Sequence, residues 1–191
     1  MKEPAAPDPD GRLESLEIIV MAEDSVMYES PCLGQHGISL LVRAIGQGIA
    51  ETVLMDVGQH HDALLRNFRT LGIDPAELDA IVVTHCHYDH TRGLARMVAA
   101  TGKRNLPVIA HPAVFRSNFI TSPRTDHVGM DDEDSAERLE EAGAALRLTA
   151  APFELLPGLC TTGEVRRLTA YEDAAAARSE ERRVGKECRS R

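Results

Sequence analysis

The sequence predicts an α/β chain with layered packing. Three observations carry that reading. Short apolar runs rich in β-branched residues recur at strand length. Between them lie segments whose apolar residues keep helical spacing, so strands and helices alternate. Glycines and an Asp-Pro pair punctuate the junctions. With 191 residues the chain suits one ordinary domain. Hydrophobic residues make up 43% and aromatics only 4%, without tryptophan, so the core is aliphatic.

Residues 1–15 read as a disordered or extended tail. The opening MKEPAAPDPDG is charged, proline-rich and poor in core-forming residues. Leu16 to Ala22 reads as the first strand. Glu23 to Gly37 reads as a loop, broken by Ser30-Pro31 and two glycines. Ile38 to Ala44 and Glu51 to Val57 read as the second and third strands, with Gly46 and Gly48 in the turn between them. His60 to Leu71 sets Ala63, Leu64, Phe68 and Leu71 near helical spacing. Gly72 ends that helix, and Asp74-Pro75 opens a short turn. Ala80 to Thr84 has the pattern of a buried strand.

Leu94 to Thr101 reads as a helix with Leu94, Met97 and Val98 on one side and Gly102 as its stop. Pro107 to Ala110 is a short strand, and His111-Pro112 begins a loop or helical turn. Ser117 to Gly129 shows no period and reads as a loop over the site. Asp131 to Glu141 keeps a helical register, with acids at its start complementing the helix dipole. Ala145 to Thr149 and Leu159 to Thr162 close the series of strands.

Chemistry concentrates directly after the strand at Ala80 to Thr84. His85, His87, Asp89 and His90 stand within six positions of one another. If extended geometry persists, His85 and His87 point to the same side, because strand side chains alternate with period two. Asp89 and His90 then fall on the turn that follows. Imidazoles with a carboxylate suit zinc, and also iron or manganese. Cys86 and Tyr88 are expected to pack away from the ligands. No phosphate-cradling loop and no GxSxG elbow is present.

The run THCHYDH resembles the HxHxDH signature of the metallo-β-lactamase fold superfamily. Val53-Leu54-Met55-Asp56-Val57-Gly58 is similar to that superfamily's strand ending in aspartate and glycine, and the segment from Leu71 to Asp79 to its connection. Gly34-Gln35-His36-Gly37-Ile38-Ser39-Leu40-Leu41 and Thr162-Gly163-Glu164-Val165 resemble a narrower branch, the dihydropterin-aminobenzene-phosphate synthase-like hydrolases. The resemblance covers about Leu16 to Leu168. It implies an αββα sandwich with metals at the strand ends between the sheets. It also implies that His85 and His87 bind a first metal, and Asp89 and His90 a second. Asp56 would bridge or stand behind the ligands, and Asp89 and Asp56 would be the catalytic carboxylates. His111 and His36 are additional candidates; His36 either lines the cleft or only turns the chain. A further histidine completes the first site in the superfamily. His111 fits by position, whereas the narrower branch places it after Thr162-Gly163-Glu164, and no histidine follows His127.

The expected cofactor is one or two zinc ions, with manganese or iron as alternatives. The expected reaction is attack by metal-bound hydroxide on an ester, amide or phosphoester of a small-molecule substrate. Two alternatives stand beside it: a synthase acting on a pterin-like phosphorylated intermediate, and a non-catalytic metal-binding or interaction domain. With two histidines for one ion and an aspartate plus a histidine for the other, weak metal binding and low turnover are expected.

The formal net charge of −9 makes nucleic acid a poor default partner. No apolar run approaches the roughly 18 residues needed to span a bilayer, and the N-terminus shows no signal-peptide pattern, so the expected location is the cytoplasm. Cysteines at 32, 86, 160 and 188 form no CxxC pair, so neither a disulfide framework nor a zinc ribbon is indicated. The end of the chain differs in kind. Arg178 to Arg191, RSEERRVGKECRSR, holds six basic and three acidic residues and almost nothing apolar. A solvated basic tail or a nucleic-acid contact is the plain reading. The preferred one is an in-frame translation of a sequencing-adapter oligonucleotide, a non-native tail over 178–191. Without it, residues 1–177 carry a net charge near −12. The domain is then expected over 16–177, as a sandwich incomplete at its C-terminus and poorly active.

Overall fold

The computed structural model describes residues 12–120 and 124–165. The tail read over 178–191, most of the tail read over 1–15 and the expected domain end at 177 lie outside the described residues. The chain enters through an antiparallel meander of β1 (Leu13–Ala22), β2 (Ser39–Gly46) and β3 (Ile49–Met55). The first strand starts earlier than expected. Leu13 pairs with Gly46, Ser15 with Ile45, and the Glu14 carboxylate accepts from the Gly48 N–H at 2.9 Å, which draws residues 13–15 into the sheet. Between β2 and β3 the turn residues Gln47 and Gly48 have φ of 52° and 73°. Two positive φ values are what a type I′ hairpin demands, and its twist matches the flanking strands.

After β3 the sheet continues with parallel strands and helical crossovers. The elements are α1 (His61–Thr70), β4 (Ala80–Val82), the single turn α2 (Tyr88–Thr91), α3 (Leu94–Ala100) and β5 (Leu106–Ala110). A short ribbon of β6 (Phe119–Ile120) and β7 (Asp126–His127) follows, then α4 (Ala136–Ala142) and β8 (Ala144–Leu148). A second ribbon pairs β9 (Glu154–Leu156) with β10 (Leu159–Cys160). The main sheet runs β1-β2-β3-β4-β5-β8. Before β4, Asp74 and Glu77 form the capping box of a 3₁₀ turn over Pro75–Glu77.

Alternation sorts the central strands onto two apolar faces. Leu54, Ile81 and Val108 pack with Leu64 and Phe68 of α1, Leu94 and Met97 of α3, and Leu139 of α4. Their chain neighbours Val53, Ala80 and Ile109 face the other way, against Phe153, Leu155 and Leu159 of the second ribbon. Full burial of a side chain such as Phe68, which is 0% exposed, contributes about 1.5–3 kcal/mol. Further out on the second face, Leu16, Ile18 and Val20 of β1 each stay about half exposed. Among the described residues, no helix is long and apolar enough to cross a membrane.

The segment Ser117 to Gly129, read as a loop, contains the β6–β7 ribbon, where Phe119 pairs with His127 and Ile120 with Asp126. Two-residue strands are too short to register a period. The helix read over Asp131 to Glu141 is divided at Ser135. A 3₁₀ turn covers Asp132–Asp134, and the Ser135 hydroxyl then accepts from the Arg138 N–H to start α4. The break frees Asp134 for another helix. Its carboxylate accepts from the Gly93 N–H at 2.7 Å and the Ala95 N–H at 2.8 Å, capping α3, which lacks a side-chain cap of its own.

Burial raises the Asp134 carboxyl pKa above the ordinary aspartate range, and the two N–H bonds only partly offset it. A carboxyl raised on folding holds its proton more tightly in the folded state. Its contribution is therefore fully present below the unfolded value of about 3.9 and is lost as pH rises through the folded value. Urea midpoints over that range are expected to fall with pH in the wild type relative to Asp134→Asn. Parallel profiles for the two proteins would contradict this.

Candidate metal centre

The site is built from the segment after β3 and the loop after β4, neighbouring strands in the sheet. Asp56 follows β3 with φ of 57°, a left-handed conformation uncommon for a non-glycine residue. The sheet holds it there. Its N–H donates to the Val82 carbonyl at 2.9 Å, and its own carbonyl accepts from the Ser39 hydroxyl at 2.8 Å. This turns a fully buried carboxylate toward the end of β4. Oδ1 accepts from the Thr84 N–H at 2.8 Å, and Oδ2 accepts from the Thr84 hydroxyl at 2.6 Å and from His90 Nδ1 at 2.8 Å. The Val57 N–H adds a main-chain bond to the His90 carbonyl at 3.0 Å.

Beyond this anchor the loop presents its imidazoles. The His85 and His87 rings lie edge to face with centroids 4.7 Å apart, and the His85 and His90 centroids are 4.0 Å apart. Cys86 between them faces the core and is 7% exposed. Asp89 enters on α2. One ligand atom from each of His85, His87 and Asp89 lies within 4.8 Å of the other two. Asp89 Oδ2 is also 3.5 Å from His90 Nε2 and 3.6 Å from His36 Nε2. With His90 Nδ1 held against the Asp56 carboxylate, the Nε2 side of the ring faces Asp89.

Charge states differ along the cluster. Burial, then the neighbouring His90 and His87, push the His85 pKa below the ordinary histidine value. Burial also opposes charge on His90, but the hydrogen bond and charge of Asp56, with Asp89, outweigh it and raise that pKa. The donor set fits a divalent ion. His85 favours the neutral imidazole that ligates metals, the carboxylate supplies charge, and the ligating side chains reach solvent rather than lying sealed in the core. Gly37 is part of this fit. It has φ of 88°, and a Cβ there would overlap the Asp89 carbonyl, so only glycine lets the 34–37 loop close on α2.

The additional candidates His36 and His111, and the remaining histidines, fall around the cluster. His36 sits at its rim, with Nδ1 2.9 Å from Asp24 Oδ1. His111 does not join it. At the end of β5 its Nδ1 accepts from the Ala113 N–H at 3.1 Å, and its Nε2 faces Glu164 Oε2 at 3.8 Å. The local turn after Ala110 holds the ring there. His60 lies at the N-cap of α1, His61 accepts from Arg96 at 2.7 Å, and exposed His127 stacks edge-on against Phe119. Thr84 bonds Asp56 without being singled out by the sequence pattern, although a hydroxyl beside the first histidine is the signal that marks it.

Asp56→Ala leaves the Thr84 N–H, the Thr84 hydroxyl and His90 Nδ1 without their acceptor in a buried setting. A loss of about 3–5 kcal/mol in urea unfolding is expected. The His90 pKa, followed by NMR titration of the metal-free protein, should fall even with the milder Asp56→Asn. An unchanged His90 titration would contradict the assignment of its partner.

The family described as beta-lactamase superfamily domain matches residues 52–171. A curated relative from Methanocaldococcus jannaschii, named 7,8-dihydropterin-6-methyl-4-(beta-D-ribofuranosyl)-aminobenzene-5'-phosphate synthase, is 34% identical over 155 residues, covering 81% of this chain and 52% of its own. This chain thus spans about half the length of the curated relatives it matches. Among solved structures, a Cronobacter sakazakii metallo-β-lactamase superposes with a TM-score of 0.43 at 20% identity, over 66% of this chain and 46% of that one. The metallo-β-lactamase fold protein YhfI from Bacillus subtilis gives 0.42 at 17% identity, over 73% and 48%. On the family match, which spans more than half of its residues, the chain belongs to the β-lactamase superfamily.

Proposed function

We propose that the chain carries a zinc-dependent centre for hydrolysis of an ester, amide or phosphoester in a small-molecule substrate. The observation that supports this best is the convergence of His85, His87 and Asp89, with ligand atoms within 4.8 Å of one another, on a loop leaving a parallel strand. Three protein donors with a fourth position left open are the pattern of catalytic rather than structural zinc. A zinc ion held there supplies Lewis acidity and lowers the pKa of a bound water to about 7. Manganese or iron would suit the same donors. His90 and Asp89, facing each other at 3.5 Å, are the donors for a second ion. Asp89 is the carboxylate that reaches the reacting centre. Asp56, with no exposed surface, acts through Thr84 and His90 and keeps the His90 ring oriented. His36 at the rim is placed to meet substrate or solvent, with its ring held by Asp24.

A second reading is favoured by one observation, the 34% identity to a dihydropterin-type synthase. It uses the same donors and differs in the product formed. Zinc binding and turnover of phosphoester, lactone and dihydropterin substrates test both. Bound zinc is expected in the wild type, with affinity at least about tenfold lower in His87→Ala. Hydrolysis should stop on chelation and return with zinc. A wild type without bound zinc, or turnover indifferent to chelation, would overturn the proposal, while condensation without hydrolysis would favour the synthase.

A further inference from the structure

We propose that His36 does more than meet substrate or solvent at the rim: it is a third protein donor to the second metal position, beside Asp89 and His90. Asp24 is the carboxylate that sets its ring, and the inference rests on the metal reading above. His36 and His90 reach Asp89 in the same way from two different segments. In each, Nδ1 is held by a carboxylate, His90 by Asp56 at 2.8 Å and His36 by Asp24 at 2.9 Å. In each, Nε2 faces the same oxygen, Asp89 Oδ2, at 3.5 Å from His90 and 3.6 Å from His36. A carboxylate on the far nitrogen is the arrangement that orients metal-ligating histidines.

The two separations are too long for hydrogen bonds, which run about 2.7–3.2 Å between nitrogen and oxygen. They are close to the spacing of neighbouring donors around one ion. Zinc–donor bonds of about 2.0–2.1 Å at a tetrahedral angle put those atoms roughly 3.3 Å apart. Asp89 Oδ2 thus has two imidazole nitrogens at ligand spacing. The backbone on either side of His36 is fixed. Gln35 is 6% exposed, and its N–H donates to the Glu23 carbonyl at 2.8 Å, which sets Asp24 beside His36. Gly37 lies so near α2 that a Cβ there would overlap the Asp89 carbonyl. The loop is therefore seated on the residue that the His36 ring faces. The His36 and Asp24 side chains are 56% and 70% exposed, and an imidazole–carboxylate pair in water contributes little to stability. Orienting a donor is the use the geometry gives that pair. With His36 the second position has two imidazoles and a carboxylate, the same donor types as the first.

Zinc titration of the 191-residue chain, followed by NMR of the imidazole nitrogens and by calorimetry, tests the proposal. The His85 and His87 rings report the first ion. The His36 and His90 Nε2 signals are expected to move together as the second binds. His36→Ala should weaken the second binding step at least about tenfold and leave the first unchanged. Asp24→Asn should weaken the second step about tenfold, the lower end for partners standing behind metal ligands, while the His36 signal still responds. A His36 ring that zinc leaves unmoved, whether one ion binds or two, would overturn the proposal while the metal reading stands. So would an unchanged second step in His36→Ala. If that variant does not fold, the wild-type His36 signal decides. A wild type that binds no zinc overturns the metal reading itself, and this proposal with it.

Discussion

Everything at the site depends on one buried carboxylate. Asp56 has no access to water, so its two oxygens must be satisfied within the protein, and Thr84 and His90 do this. The cost of leaving any of these groups unpaired ties three segments into one geometry. The left-handed backbone at Asp56 is part of the arrangement, because an extended residue there would continue β3 instead of turning the carboxylate to the adjacent strand. A loop of histidines with no such anchor would be free to splay. With it, the His90 tautomer is assigned and the start of the loop is clamped to the sheet.

The loop is held from behind as well. The Tyr88 N–H donates to the Val128 carbonyl at 3.1 Å, Arg92 Nε lies 2.6 Å from Asp131 Oδ2, and the Arg92 guanidinium stacks over the Tyr88 ring at 4.9 Å. Asp134 then takes the N–H groups that begin α3. Residues 86–95 thus run between two supports, the strand ends in front and Val128, Asp131 and Asp134 behind. Donor groups can sit on a loop and still be positioned, because rigid elements hold it at both sides.

Much of this was legible in the sequence where a strong local pattern existed. The strand read at Ala80 to Thr84, which pairs over Ala80–Val82, the helix with Leu64 and Phe68 and the glycine stops follow from spacing and turn chemistry, while the HxHxDH run is marked by its donor residues and its resemblance to a family signature. The first strand was recognised by its apolar residues, but Leu13 to Ser15 join it through cross-strand partners that local composition does not show. The same holds for β9, where three residues between prolines form a strand only because β10 and the second sheet face receive them. His111 shows the limit at the site itself. Position after a strand suggests a ligand, whereas in the structure its Nδ1 accepts from the nearby Ala113 N–H and its Nε2 faces Glu164 at 3.8 Å. Asp134 acts on Gly93, 41 positions away, a separation over which periodicity carries no information.

The order of strands in the main sheet has a bearing on how the protein is made. From β1 to β5 each strand lies beside the one synthesised just before it, and β8 then adds at the edge. A chain emerging from the ribosome can lengthen the sheet one strand at a time, each arriving at a template already present. Pairings between near neighbours in sequence close small loops and lose little entropy in doing so. Asp56 is in place before Thr84 and His90 appear, so its carboxylate waits unpaired only for the span of one crossover. The candidate metal loop follows β4 directly, so in that order of growth its anchor on β3 is in place while β5 and β8 are still to be added.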